Sequence, residues 1–194
     1  MIKFPDKKYQ IIYADPPWKY EKELVWKKKS IYPLNHFYPT MKIEEIKNLK
    51  IPSDKDSWLI LWTTVPKLQE GLDVLKSWDY LYRTSGVWDK GNGLGYFFRI
   101  YHEIILIGKK GNPVNPIYSE ESIFKESRRK HSQKPDCVRN WINKAFPNLT
   151  KIELFARPPK DRLFEDDSYK GWDLIGYDVD GMDIRESLDK LIAR

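Results

Sequence analysis

The chain has 194 residues, 41% hydrophobic and 32% charged, with a formal net charge of +6; that length supports one domain with a sizeable core and excludes a disordered polar chain. A single cysteine excludes an internal disulfide and suits a reducing cytosol. No apolar stretch approaches the roughly 18 residues that span a bilayer, and the N-terminus has no signal-peptide pattern, so a cytoplasmic protein without membrane contact is expected.

The first strand is predicted at 10–14, where Gln10-Ile11-Ile12-Tyr13-Ala14 runs straight into Asp15-Pro16-Pro17-Trp18. Segment 19–40 follows with little periodicity and carries Lys27-Lys28-Lys29. A helix is predicted at 41–49, a strand at 57–63 (SWLILWT) and a helix at 66–77. That helix opens with Pro66 in its first turn and spaces Leu68, Leu72 and Leu75 on one face. Strand 80–88 leads through a glycine-rich turn (Gly91, Asn92, Gly93, Gly95), read as a plain loop, to strand 102–108 (HEIILIG). Segment 109–134 is again aperiodic and holds Arg128-Arg129-Lys130. Helix 135–146, strand 150–155 (TKIELF) and a last amphipathic stretch at 184–192 complete the chain. The short, nearly continuous apolar runs read as strands buried on both faces. Strands alternating with helices imply a single α/β domain over 1–194, in three layers around a mostly parallel sheet. Such sheets bind ligands at the carboxyl ends of their strands, where the tetrad 15–18 falls.

The tetrad combines features that a simple turn would rarely need. Two prolines fix φ and remove two backbone donors. A carboxylate beside a carbonyl offers two acceptors to an amino group with two hydrogens, and Trp18 adds a π face for a planar heterocycle. Together they describe a pocket for an exocyclic aromatic amine, an otherwise poor nucleophile because its lone pair is delocalised into the ring. Catalysis there would be orientation plus electrostatics. On these four residues alone, a proline-stiffened turn with a surface acid remains the competing reading.

The wider sequence resembles the MT-A70 family of S-adenosylmethionine-dependent adenine-N6 methyltransferases. The resemblance extends from the tetrad to FYPTMKIEEIKNLKIP (37–52), WLILWTT (58–64), the block at 86–113, HSQKPD (131–136) and the closing block at 151–181. It implies a Rossmann-like class I methyltransferase fold in circularly permuted order, with the catalytic motif before the cofactor motif; no G-x-G-x-x-G loop follows an early strand. It also implies catalysis by Asp15, Pro16, Pro17 and Trp18, and a base pocket lined by Tyr38. Cofactor binding would fall to Asp15, Lys134, Glu153, Phe155, Arg157, Tyr177 and Asp178. At the last pair the mRNA enzyme carries two amides, a departure that weakens the carry-over at Tyr177 most. Lys134 is the expected partner of the cofactor's carboxylate, at a helix start that itself favours anions. Arg99 and Glu103 match a charged pair read as structural.

Adenine inside a duplex cannot reach such a pocket, so the base must be flipped or single-stranded. Lys27, Lys28 and Lys29 in segment 19–40, and Arg128 and Arg129 in segment 109–134, are expected to meet phosphates beside the site. Without the extensions of the mRNA enzymes, the chain looks more like compact bacterial and phage members that act on DNA. DNA is therefore favoured over RNA, and a homodimer would supply surface to hold a duplex. A non-catalytic nucleic-acid-binding homologue is the competing class. No metal site is expected, since His36, His102 and His131 have no ligand spacing with Cys137.

Overall fold

The computed structural model describes residues 7–20, 39–91, 93, 95, 97–127, 133–158 and 167–192. Seven strands form one sheet: β1 (Tyr9–Ala14), β2 (Ser53–Thr63), β3 (Leu81–Asp89), β4 (His102–Lys110), β5 (Ile123–Lys125), β6 (Lys151–Leu154) and β7 (Trp172–Ile175). Their order is β5-β3-β4-β2-β1-β6-β7. The pairings β1–β2, β1–β6, β6–β7 and β3–β5 are parallel, while β4 runs against both β2 and β3. Six strands thus point one way and β4 alone points the other, as the apolar runs led one to expect of a mostly parallel sheet.

β1 is the axis of the fold. Ile11 to Ala14 pair with Trp58 to Leu61 on one side and Lys151 to Leu154 on the other. Its side chains alternate between two cores. Ile12 and Ala14 face the cluster holding Leu59, Leu61, Leu154 and Ile175, covered by α1 (Ile43–Lys47), α2 (Leu68–Ser77) and α5 (Ile184–Ile192). Ile11 and Tyr13 face the opposite cluster with Ile60, Trp62 and Trp172, covered by α3 (Asp136–Ala145). Burial on both faces explains why β1 reads as a continuous apolar run. Each fully buried aliphatic side chain of this kind contributes about 1.5–3 kcal/mol. The strand then delivers Asp15 to the carboxyl edge of the sheet, where its N–H reaches Leu154 O at 3.5 Å.

Several expectations change in detail. The first helix begins at Ile43, because Met41 is engaged in a bridge with Trp18 and Lys42 is extended as the cap. In α2 the buried stripe is Gly71, Val74 and Leu75, whereas Leu68 is 38% exposed. Gly71 sets this rotation: a Cβ there would stand 3.1 Å from Thr63 and Leu106, so the helix presses on the sheet at its glycine. The first half of β3 is exposed and not sandwiched. Segment 109–134 contains the end of β4 and the short β5, so it is less irregular than its composition suggests. Strand β7 and the short α4 (Tyr177–Asp180) carry no clear periodicity in sequence. Among the described residues no helix is long and apolar enough to cross a membrane.

Candidate active site

At the end of β1 the chain turns sharply. The prolines leave no donors, so the Trp18 N–H donates back to Pro16 O at 2.9 Å. Pro17 O accepts the Met41 N–H at 2.8 Å, and the Lys19 N–H donates to Met41 O at 3.1 Å. These bonds tie the tetrad to the segment ahead of α1. Trp18 is 6% exposed and belongs to the same core cluster as Met41, so its ring packs in the core and is not the open stacking face expected from the sequence. Its indole N–H is buried with no hydrogen-bond partner among the described residues.

Asp15 lies in a chain of alternating charges. Lys134 Nζ stands 3.0 Å from its Oδ1 and an Arg157 guanidinium nitrogen 3.5 Å from its Oδ2. Lys134 also donates to Glu103 at 2.7 Å, and Lys90 contacts the other Glu103 oxygen at 3.0 Å. The order is Lys90, Glu103, Lys134, Asp15, Arg157, and Lys134 further lies 5.1 Å from the ring centre of Trp62. Burial works against the charged form of Lys134, but Asp15 and Glu103 outweigh it and hold its pKa above the ordinary lysine value. Burial likewise opposes ionisation of Glu103, and Lys134 and Lys90 overturn it, bringing the carboxyl down to about 2. The result is a site whose charges are fixed in place before any ligand arrives.

Beyond Asp15 and Pro17 opens a cleft of about 470 Å³, lined by Pro17, Met41, Phe155, Arg157, Tyr177, Asp178 and Ile184 among others. Its floor is the crossing of the chain ends after β6 and β7. Phe155 adopts φ +61° directly after β6, and the Ala156 N–H donates to Ile175 O at 2.9 Å. Gly176 permits the crossing, since a Cβ there would lie 2.6 Å from Ala156 N. Below the floor Arg139 holds Glu153, both of its bonds landing on Oε2 at 2.9 and 3.1 Å. Burial pushes Glu153 up against the pull of Arg139, so this carboxylate depends on its partner. The cleft therefore joins an apolar wall to the Asp178 and Asp183 carboxylates and the Arg157 guanidinium, and Arg157 links it to Asp15 and through it to Lys134. It suits a flat, partly apolar molecule with a zwitterionic end.

The MT-A70 family model matches residues 9–177. The chain belongs to the MT-A70 family. Among its relatives is the Type II methyltransferase M.MunI of Mycoplasma sp, 34% identical over 90% of this chain and 79% of that protein. The human N(6)-adenosine-methyltransferase catalytic subunit METTL3 is 30% identical over 90% of this chain but only 29% of its own length. The Drosophila melanogaster N(6)-adenosine-methyltransferase MT-A70-like protein is 31% identical over 90% of this chain and 28% of its length. MT-A70 methyltransferases use S-adenosylmethionine, and the residues of the cleft fit that molecule. Phe155, Met41 and Ile184 form an apolar wall, Asp178 offers acceptor oxygens, and Arg157 joins the cleft to Asp15 and Lys134.

Of the residues that the MT-A70 resemblance implicates, the structure brings together Asp15, Pro17, Lys134, Phe155, Arg157, Tyr177 and Asp178. Glu153 lies beneath them, at the end of β6. Tyr38, Lys27, Lys28, Lys29, Arg128 and Arg129 lie outside the described residues. Glu103 was paired with Arg99 in the sequence reading; its described partners are instead Lys90 and Lys134, which makes it part of the site. The start of α3 differs too: its first two amides donate to the Glu126 carboxylate at 3.2 and 3.0 Å, so they are already engaged and the positive charge beside Asp15 comes from the Lys134 and Arg157 side chains. Lys90, Trp62 and Arg139 were missed altogether. The signal for Arg139 was a cation in the middle of an otherwise amphipathic helix, on the face that carries Val138 and Ile142.

Proposed function

We propose that this chain methylates the exocyclic N6 amine of adenine in DNA, using S-adenosylmethionine. The observation that carries the reading is Asp15, fixed at the carboxyl end of β1 between Lys134 and Arg157 at the mouth of the cleft. When bound, S-adenosylmethionine supplies an electrophilic methyl carbon on a sulfonium. Everything else falls to the protein. Asp15 and the Pro16 carbonyl accept the two amine hydrogens; Pro16 O already takes the Trp18 N–H but keeps a second lone pair. Accepting both hydrogens holds the nitrogen lone pair out of conjugation and aims it at the methyl. Once the nitrogen is alkylated its surplus proton is acidic, and Asp15 is the nearest acceptor. Fixed acceptors of this kind are worth about 10²–10³ in rate. Trp18 packs behind the turn and holds it rigid, while Tyr38 lines the base.

Lys134 and Arg157 hold the carboxylate of the cofactor, Asp15 its ammonium, Asp178 and Tyr177 its ribose, and Phe155 its adenine. Glu153 supports that floor through Arg139. The tetrad after β1 precedes the cofactor residues that follow β6 and β7, an order that supports a circularly permuted methyltransferase. One domain over 1–194 is part of the proposal, as is contact with phosphates by Lys27, Lys28, Lys29, Arg128 and Arg129, which lie outside the described residues. DNA is favoured because the type II methyltransferase M.MunI is 34% identical to the chain, against 31% and 30% for the adenosine methyltransferases over the same share of it. A cytoplasmic enzyme, working as a homodimer on duplex, completes the proposal.

The test is incubation with labelled S-adenosylmethionine and, separately, single-stranded DNA, duplex DNA and RNA, followed by digestion to nucleosides. Label in 6-methyladenine from DNA is expected. Label from RNA alone would move the substrate to RNA, and intact cofactor binding with no transfer to any of the three would make the chain a binding homologue.

A further inference from the structure

Helix α3 begins without a cap of its own. Its cap position is Pro135, extended at φ −68° and ψ 145°, with no side chain able to accept an amide N–H. The acceptor comes from ten positions before the helix starts. Glu126, the residue after β5, takes the Asp136 N–H on one carboxylate oxygen at 3.2 Å and the Cys137 N–H on the other at 3.0 Å. Its backbone is held in turn by the Trp88 indole N–H, which donates to Glu126 O at 2.7 Å beside the pairing of β5 with β3. From the other side Arg139 joins Asp136 to Glu153 on β6, at 3.1 and 2.9 Å. The first turn of α3 is thus held between β5 and β6.

We infer that Glu126 is a positioning residue of the cofactor site: by capping α3 from the end of β5 it holds Lys134 opposite Asp15. The inference rests on the functional reading above and deepens it, naming what fixes the cation that takes the cofactor's carboxylate. The connection is stiff. Pro135 alone separates Lys134 from the first residue of α3; its ring fixes φ, and the residue before a proline is confined to extended conformations. Lys134 therefore moves with the first turn of the helix. A second path runs through rings. Trp88, held by Glu126 O, meets Trp62 edge to face with centres 6.1 Å apart, and the Lys134 ammonium lies 5.1 Å from the Trp62 ring centre. The effect is one of geometry, since the charges that keep the buried Lys134 ionised are those of Asp15 and Glu103. Its contacts with these two carboxylates are 3.0 and 2.7 Å, and a displacement of about 1 Å is enough to lose such bonds.

Titration calorimetry with S-adenosylmethionine compares wild type, Glu126→Ala, Lys134→Met and the double variant Glu126→Ala/Lys134→Met, with melting temperatures alongside. Glu126→Ala should weaken binding about fivefold or more. In the Lys134→Met background the same change should cost less than about twofold, because the residue it positions is already gone. A cap that serves only the stability of the fold would lower the melting temperature without changing affinity, or would cost the same factor in both backgrounds. Either result would overturn the inference while leaving the methyltransferase reading intact. Glu126→Gln covers the case in which Glu126→Ala does not fold: it keeps the size and one acceptor but turns an N–H toward a helix amide. Binding about threefold weaker is expected there, again absent beside Lys134→Met, and unchanged affinity would overturn the inference equally. A wild type that does not bind S-adenosylmethionine, or a Lys134→Met variant that binds it as well as wild type, would overturn the assignment of Lys134 and the inference with it.

Discussion

Replacing Glu103 by glutamine keeps its shape and an acceptor for Lys134 but removes the charge between two lysines. In the folded protein its carboxyl lies at about 2, against 4.5 for an ordinary glutamate. That difference is worth about 3 kcal/mol of stability at neutral pH. The sign follows from a lowered folded-state pKa: the contribution is fully present above about pH 4.5 and lost as pH falls toward about 2. Glu103→Gln should therefore melt about 6–12 °C below wild type at pH 7. The gap should narrow steadily below pH 4.5 and nearly vanish at about pH 2. Lys134 also loses one of the two carboxylates that offset its burial, so its pKa falls. Calorimetric melts of both proteins from pH 2 to 8 measure this directly. Equal melting temperatures at pH 7, or a gap independent of pH, would refute the view that the Lys90–Glu103–Lys134 chain is charged and mutually stabilising.

Lys134→Met removes the cation shared by Asp15 and Glu103; affinity for S-adenosylmethionine, read by titration calorimetry, should fall about tenfold or more, and unchanged affinity would take Lys134 out of the cofactor site. Arg139→Met strands the buried Glu153 and should cost about 3–5 kcal/mol in denaturant unfolding, most of it recovered in Arg139→Met/Glu153→Leu. Gly176→Ala places a Cβ 2.6 Å from Ala156 N; it should displace the floor of the cleft and weaken S-adenosylmethionine binding in titration calorimetry, and unchanged affinity would refute the close crossing there.

The sequence was most legible where one physical demand dominated. β1, β2, β4 and α3 are buried elements whose apolar runs or stripes leave little choice, and they were found within a few residues. Asp15, Lys134, Phe155, Arg157, Tyr177 and Asp178 converge because the resemblance carried their order along the chain and the parallel sheet then gathered their ends at one edge. What the sequence hid depends on long-range partners. β5 is three residues in a polar context and exists because Val87 to Asp89 offer it an edge. Glu103 reads as an ordinary charge at the start of a strand; only the fold places Lys134, 31 positions later, against it. Leu68, Leu72 and Leu75 spell a helical face that tertiary packing rotated toward Gly71, because a missing side chain let the helix approach the sheet. Periodicity finds buried faces but not which part of a face presses closest.

The central claim is that Asp15 receives the amine of an adenine. Asp15→Asn is nearly isosteric, yet it replaces one acceptor oxygen by a donor aimed at the amine hydrogens. The decisive measurement is the rate of 6-methyladenine formation in DNA by wild type and Asp15→Asn at saturating S-adenosylmethionine, with cofactor affinity measured alongside. The account predicts that wild type forms 6-methyladenine while the variant, folded and saturated with a cofactor it binds more weakly, is slowed by about 10²–10³ or more. A variant that methylates adenine at the wild-type rate, or a wild type whose product is a different methylated base, would contradict it.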